Sequence, residues 1–387
     1  MNINNPIRKR TVNFQPARLA QARMAKGWSM VDLARQVDLT RQAISSFEKG
    51  DTNPSYETLR ELSKALDVKE AFLCLPSIGE SLKKESAINF RTLKSAYSRE
   101  LDQTRSYLEL FAELCGLLQS NYVDLQPVKL PKFNIDDFAK LELEDIQYFA
   151  EQTRRFFGLG DGPISNLTLL LENHGVLIGY LPLPQKIDGI SVWYNKRAFI
   201  LVNDKAYACR GRLDLAHELG HLILHTSLAQ EDLEQKEILK LVESQAFQFA
   251  MAFLVPEKSI AKEFYSTDLN AFKGLKKRWG VSMQALAMWL NQIDLMDDRQ
   301  KTYFFQKMAP YRRKEPLDSE LIQERSISIK RIVEILDENG VLSGCDFLAE
   351  IAFPEYLVKP ISNLPDEFFE MKFKQNNVFQ LKTTKIA

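Results

Sequence analysis

The chain has 387 residues, 45% of them apolar, and its 51 basic and 51 acidic side chains leave no net charge at pH 7. This length predicts two or three domains with real hydrophobic cores. No run of 18 apolar residues occurs and residues 1–10 are polar, so we expect neither a membrane span nor a signal peptide. The scattered Cys74, Cys115, Cys209 and Cys345 exclude a disulfide framework and fit a reducing cytoplasm.

Residues 16–73 carry the signals of four short helices. The first begins at a proline and ends near Gly27. Ser29, Thr40 and Ser55 have side chains preferred as N-caps, and each precedes a further helical pattern. Short helices with a tight turn between the second and third are the helix-turn-helix plan of DNA-binding domains.

The segment 40–50 reads TRQAISSFEKG and follows WSMVDLA at 28–34. This stretch resembles the XRE/Cro-type repressors, which implies binding to a double-stranded DNA operator. By that resemblance the base-facing residues are Arg41, Gln42 and Ser46, with Thr40 at the helix entry, and the phosphate-facing residues are Ser29, Lys49 and Asn53. Arginine can pair with guanine edges and glutamine with adenine edges in the major groove.

Local charge agrees with DNA binding. Residues 1–50 contain nine Lys or Arg and three Asp or Glu, a balance of 9 − 3 = +6, although the whole chain is neutral. A basic patch on a neutral protein is an electrostatic footprint for nucleic acid. The alternative is a four-helix interaction module that lacks DNA contacts.

Residues 76–139 form a helical connector in this interpretation. The run 100–120 is amphipathic and predicts one long helix. Its apolar stripe predicts either a strut that packs inside the chain or the seam of a homodimer. The segment 124–132, with two prolines, separates this helix from the next domain.

Residues 216–225 read AHELGHLILH, and their core is His217-Glu218-x-x-His221. Two histidines four apart lie on one helix face, roughly 6 Å apart along the axis, and can hold one Zn²⁺. The glutamate beside the first histidine can act as general base on the nucleophilic water. A polar helix face is the alternative, but the surroundings are apolar and three of the four histidines fall in this window.

A catalytic zinc needs a third protein ligand. His225 lies roughly 12 Å along the helix from His217 and cannot share its ion, so we interpret it as a residue behind the ligands that supports one of them. Glu243 heads an apolar helix that ends at Pro256 and is the better candidate. The alternative for Glu243 is a surface charge that continues the acidic run 231–237.

Residues 140–300 resemble the ImmA/IrrE-type metallopeptidases. The matching segments are LLENHGVLI (170–178), FILVN (199–203), RLDLAHELGHLILH (212–225), ESQAFQFA (243–250) and FLVP (253–256). The resemblance implies His217, His221 and Glu243 as metal ligands and Glu218 as general base. The sequence departs from the family pattern at Gln245 and Phe247, where an acidic residue and asparagine are usual.

The sequence therefore predicts a mostly α, multidomain protein. We expect an all-α helix-turn-helix domain at 1–75, the connector at 76–139, an α+β zincin-like peptidase domain at 140–300 with a small sheet and the HExxH helix, and a helical extension at 301–387. Short helices are predicted at 328–336 and 345–352. From its position alone, the extension is a candidate to shape the active-site cleft.

The combination predicts a cytoplasmic DNA-binding regulator with a zinc-dependent endopeptidase domain, with Mn²⁺ as the other candidate metal. Its expected substrate is a repressor or the chain itself, and cleavage would switch phage, mobile-element, defence or stress genes. The alternative is a non-proteolytic XRE-family transcription factor whose zincin-like domain senses a ligand or metal. An antitoxin-like interaction protein is a third.

Overall fold

The computed structural model describes residues 13–77, 89–90, 98–135, 137–226, 228 and 235–370. Arg8, Lys9 and Arg10 of the basic N-terminal stretch lie outside the described residues, as do 231–234 of the acidic run. The described chain is mostly helical with one small sheet, which confirms the predicted fold class.

The N-terminal helices are α1 (Pro16–Ala25), α2 (Met30–Gln36), α3 (Arg41–Lys49) and α4 (Tyr56–Leu66), and α5 (Ser98–Asn121) follows. Next come α6 (Leu143–Phe156), α7 (Leu167–Glu172), α8 (Ala208–Leu224), α9 (Lys236–Leu254) and α10 (Glu257–Glu263). The remaining helices are α11 (Leu269–Trp279), α12 (Met283–Gln292), α13 (Asp298–Met308), α14 (Ser328–Glu338), α15 (Gly344–Ile351), α16 (Glu355–Ser362) and α17 (Asp366–Glu370).

The predicted N-caps Ser29, Thr40 and Ser55 are found at the starts of α2, α3 and α4. The Ser29 side chain accepts from the Asp32 N–H and the Asp32 carboxylate accepts in return, which is a capping box on α2. Thr40 caps α3 through the Ala43 N–H. Gly50 ends α3 with φ 78°, a left-handed conformation that suits glycine.

The four strands are β1 (Asn89–Phe90), β2 (Leu177–Leu181), β3 (Gly189–Tyr194) and β4 (Arg197–Asn203), in the order β1-β3-β4-β2. β2 pairs with β4 in parallel, and β3 pairs with β4 and β1 antiparallel. Asn195 and Lys196 join β3 to β4 with φ values of 46° and 60°. Two left-handed residues make the tight hairpin turn that matches strand twist.

The two faces of the sheet belong to different hydrophobic cores. One face carries Phe199 and packs with α5, the helix-turn-helix domain and the C-terminal helices α14 to α16. The other face carries Ile200 and packs with α6 to α9 and α11 to α13. The apolar stripe of α5, from Tyr107 to Leu118, is buried in the first core. Other parts of this chain therefore cover the apolar stripe of α5, for which the sequence predicted either an internal strut or a dimer seam.

The extension is joined to the rest of the chain by buried polar contacts. The Glu172 carboxylate accepts from the Ser326 hydroxyl at 2.7 Å and from the Ser328 N–H at 2.8 Å, at the start of α14. The Arg212 guanidinium pairs with Glu324. Residues 301–370 are therefore part of both cores, and α16 and α17 are helices that the sequence patterns did not predict.

Within the ranges that the structure describes, no single helix is both long and apolar enough to cross a membrane. Only the pair α9 and α10, bent by 63° at the break between them, passes that test of length and composition together.

Candidate metal centre and DNA-reading surface

Helix α8 presents His217 and His221 on one face, as their four-residue spacing predicts. Both are buried, with 2% and 1% of their surface exposed. Their Nε2 atoms lie 3.0 Å apart. Glu243 from α9 completes the cluster, with Oε2 3.3 Å from His217 Nε2 and Oε1 3.5 Å from His221 Nε2.

The donor set fits a divalent cation. Tetrahedral zinc with bonds of about 2.1 Å requires ligand atoms roughly 3.4 Å apart. The three measured separations are close to that value, and all three side chains offer an atom within 4.8 Å of the others. Two imidazoles and one carboxylate are a donor set that zinc prefers, and a fourth position remains for water or substrate.

Two small residues allow α8 and α9 to approach this closely. A Cβ added at Gly220 would lie 3.2 Å from the Ala246 carbonyl oxygen and 3.3 Å from its Cα. The backbone of α9 therefore occupies the space that a side chain at Gly220 would need. Ala246 on α9 and Gly220 within the HExxH motif are thus the two small residues at this approach.

Glu218 lies beside the cluster and is 1% exposed. Strand β3 packs directly against it. The Ser191 hydroxyl donates to the Glu218 backbone carbonyl at 3.3 Å, and a Cβ added at Gly189 would lie 3.1 Å from both Cγ and Oε1 of Glu218. The close backbone of β3 thus limits the movement of this carboxylate.

A row of buried polar groups lies behind His221. His221 Nδ1 is 3.0 Å from His225 Nδ1, His225 Nε2 is 3.0 Å from Gln245 Oε1, and Gln245 Nε2 donates to the Phe138 carbonyl at 2.7 Å. Burial and the adjacent His221 lower the pKa of His225 to about 3, although its bond to Gln245 opposes the shift. His225 is therefore neutral near pH 7.

One proton arrangement satisfies every group in this row. If His221 Nε2 faces the metal, its Nδ1–H donates to His225 Nδ1, and His225 Nε2–H donates to Gln245. His225 thus points away from the cluster, where the helix geometry put it. In the sequence, Gln245 is distinguished only as a departure from a family pattern. Nothing in a linear sequence shows that two side chains on different helices meet.

The predicted DNA-reading surface has the opposite character. Arg41, Gln42 and Lys49 of α3 are exposed, as are Thr40 and Asn53 beside it. A two-pronged ion pair holds α3 against α1: Arg23 Nε donates to Glu48 Oε1 at 2.6 Å and Arg23 Nη2 to Oε2 at 2.8 Å.

The remaining predicted DNA contacts are less available. The Ser46 hydroxyl lies 3.0 Å from the Thr52 hydroxyl. The Ser29 hydroxyl donates to the Asp32 carboxylate at 2.6 Å, inside the capping box. A phosphate would compete with that carboxylate for the hydroxyl proton, so a phosphate contact by Ser29 would break a bond inside the capping box.

Comparison with known families matches residues 19–73 to the helix-turn-helix family and residues 171–291 to the family of IrrE N-terminal-like domains, Peptidase_M78. The chain fuses these two domains. The seven predicted DNA contacts lie in the first matched segment, and the metal cluster, Glu218 and His225 lie in the second. A comparison with curated proteins gives no match.

Among solved structures, a Mycobacterium tuberculosis transcriptional regulator aligns at 18% identity with a TM-score of 0.30. The alignment covers 47% of this chain and 51% of that chain, so this chain spans about half of the regulator's length.

The helix-turn-helix domain is not tethered loosely to the IrrE-like domain. Arg18 of α1 is 2% exposed and forms an ion pair with Glu113 of α5. The Lys69 ammonium donates to the Leu348 carbonyl on α15. Phe72 meets Phe353 with ring centroids 6.0 Å apart. Through α5 and the extension, the DNA-reading domain shares a core with one face of the sheet.

Proposed function

We propose that this DNA-binding regulator is also a zinc-dependent endopeptidase, and that it cleaves a protein substrate, a repressor or its own chain, to switch gene expression. The observation that carries the proposal is the convergence of His217, His221 and Glu243 beside the buried Glu218. Metal ligands alone suit a sensor, but a buried carboxylate next to them is what hydrolysis requires in addition.

In this mechanism His217, His221 and Glu243 hold Zn²⁺, with Mn²⁺ as the other candidate. Bound zinc would polarise the scissile carbonyl and lower the pKa of the nucleophilic water to ~7. Glu218 accepts the proton of the attacking water and passes it to the leaving amine nitrogen. The row from His221 through His225 to Gln245 keeps the His221 Nε2 lone pair on the metal side.

For the DNA-reading domain we propose that α3 enters the major groove of a double-stranded operator. Arg41, Gln42 and Ser46 would contact bases, with Thr40 at the helix entry, and Ser29, Lys49 and Asn53 would contact phosphates. The exposure of Arg41, Gln42 and Lys49 supports this assignment. Binding to an operator places the working protein with the DNA, in the cytoplasm.

The first test is metal content by elemental mass spectrometry on the wild type, His217→Ala, Glu243→Ala and Glu218→Gln. We expect about one metal per chain in the wild type, loss in the first two variants and retention in the third, because Glu218 is not a ligand. The metal centre would be overturned if the wild type, prepared first without metal and then with added zinc, still contained no metal.

The second test concerns cleavage itself. New protein N-termini are compared in cells that express the wild type or Glu218→Gln, and intact mass follows cleavage of the chain itself. Cleavage products present with the wild type and absent with Glu218→Gln support the endopeptidase. Full metal content with no Glu218-dependent product would favour the alternative, a transcription factor whose IrrE-like domain senses a ligand or metal.

A further inference from the structure

A cleft of about 410 Å³ is lined in part by α8 and α9, the two helices that carry the metal cluster. Its walls include Leu213, one helical turn before His217 on α8, and Phe247, one turn after Glu243 on α9. One turn is a rise of roughly 6 Å, so on both helices a wall of the cleft lies about one turn from a metal-cluster residue. Neither the metal ligands nor Glu218 belong to its walls.

One part of the lining of this cleft is apolar. Besides Leu213 and Phe247, it is formed by Phe305 of α13 and by two large side chains that remain accessible. These are Met288, 46% exposed, and Tyr207, 42% exposed. Such side chains at the mouth of a concave site provide surface for an apolar side chain of a ligand.

The rim of the cleft is cationic. Arg312 and Arg313 line it and are exposed, and neither forms an ion pair with a carboxylate of the described residues. Arg210 also lines the cleft, but its charge is engaged by Asp188 at 2.7 Å and by Asp214 at 3.3 Å. Two guanidinium groups therefore remain available to an incoming anion.

A buried polar cluster fixes the segment that carries these arginines. Lys276 is fully buried and donates to Glu315 at 2.9 Å and to Asp318. Burial opposes its charge, but the bonds to Asp318 and Glu315 outweigh that cost and raise the pKa of Lys276. Glu315 also accepts from the Met283 N–H at 2.8 Å, at the start of α12. Lys276 thus offsets one of the two negative charges of Glu315 and Asp318, and backbone N–H groups donate to both carboxylates.

We propose that this cleft binds the substrate polypeptide beside the scissile bond and selects a segment in which an acidic side chain neighbours a large apolar one. The carboxylate would pair with Arg312 and Arg313, and the apolar side chain would contact Met288, Phe305 and Tyr207. This inference rests on the proposed endopeptidase function. It also gives the extension, through Phe305 and the 312–318 segment, a part in substrate selection.

The test measures the binding of fluorescein-labelled ten-residue peptides to the Glu218→Gln protein, so that binding is separated from cleavage. One peptide has Glu-Phe-Glu-Leu at its centre, and its two counterparts carry Gln or Lys in place of both Glu residues. Fluorescence anisotropy gives Kd. We expect the acidic peptide to bind tightest and the double variant Arg312→Ala, Arg313→Ala to weaken it about tenfold, since charge pairs at a partly enclosed rim add up to roughly this factor.

Two further variants sharpen the result. Arg299→Ala removes an exposed arginine of α13 outside the cleft and should change Kd less than twofold. The double variant Arg312→Glu, Arg313→Glu should reverse the order and favour the Lys peptide. Circular dichroism checks that the folds are unchanged, as expected for exposed side chains.

Equal binding of the three peptides, binding to none of them, or acidic-peptide affinity that ignores Arg312 and Arg313 would overturn the proposal. The proposal would also be overturned if the double variant Arg312→Ala, Arg313→Ala lost affinity for duplex DNA but kept its affinity for the acidic peptide. Mass spectrometry of the same peptides with wild-type protein separates the two proposals. Bound but uncut peptides count against the endopeptidase, whereas cleavage that is independent of both arginines counts against the cleft.

Discussion

On α3, Arg41 and Gln42 stand exposed at the protein surface, whereas His217 and His221 on α8 are 2% and 1% exposed. The first region is an outer face held from behind by the Arg23–Glu48 ion pair. The second is a cluster enclosed by α9 and β3 and backed by a row of buried polar groups. Side chains that read DNA stay in water until DNA arrives, but metal ligands must converge before the metal binds.

This contrast predicts that substitutions on the reading surface leave the stability unchanged. Substitutions at the metal cluster or behind it should also disturb the buried groups next to them. It also predicts that the two functions can be removed one at a time. The exception is the buried contact between α1 and α5, which belongs to both halves of the molecule.

The largest expected effect is that of Glu218→Gln on cleavage. Loss of the general base should lower the rate by about 10²–10⁴-fold, because the water then lacks a proton acceptor. The measurement is the initial rate of product formation. Metal content and operator affinity should match the wild type, and a parallel loss of operator affinity would contradict the separation of the two regions.

Arg18→Met addresses the contact between the halves. It removes the buried Arg18 cation from Glu113, and breaking a buried pair from one side costs about 3–5 kcal/mol. Urea unfolding measures the loss. The exposed pair of Arg155 and Glu151 provides the control, and Arg155→Ala should cost less than about 1 kcal/mol. Equal midpoints for the two variants would show that the domains do not depend on this contact.

Gln245→Ala removes the acceptor for His225 and the donor to the Phe138 carbonyl. Groups behind a metal ligand typically contribute about 10–100-fold in affinity, so zinc should bind more weakly by that factor. Competition with a chelator of known affinity gives the value. Ser244→Ala, at the exposed neighbouring position on α9, should leave zinc affinity unchanged. If both variants bind zinc like the wild type, the row behind His221 does not orient it.

The smallest effects concern the reading surface. Arg41→Ala or Gln42→Ala should weaken specific operator binding by about 1–3 kcal/mol each, through lost contacts to base edges. Fluorescence anisotropy at fixed salt, with the operator DNA that the wild-type protein binds specifically, gives these values. Arg60→Ala, on the exposed face of α4, serves as control. Stability and metal content should not change, and unaltered operator affinity would place the reading face elsewhere.

The sequence by itself determined most of the local structure. Ser29 and Thr40 cap the first turns of their own helices, so α2 and α3 begin at the predicted residues. Gly50 has no side chain and ends α3 in a left-handed conformation. The spacing of His217 and His221 likewise brings two imidazoles together on any α-helix. Such features depend on residues that are neighbours in the chain.

Only the tertiary structure decided what depends on residues that are distant in the chain. The approach of Glu243 to the histidines requires Gly220 to face Ala246, and the support of His225 requires Gln245 from another helix. The covering of α5 and the place of residues 301–370 in both cores belong to this class as well. These contacts are made by packing and by buried hydrogen bonds, whose partners no periodicity or spacing in the sequence identifies.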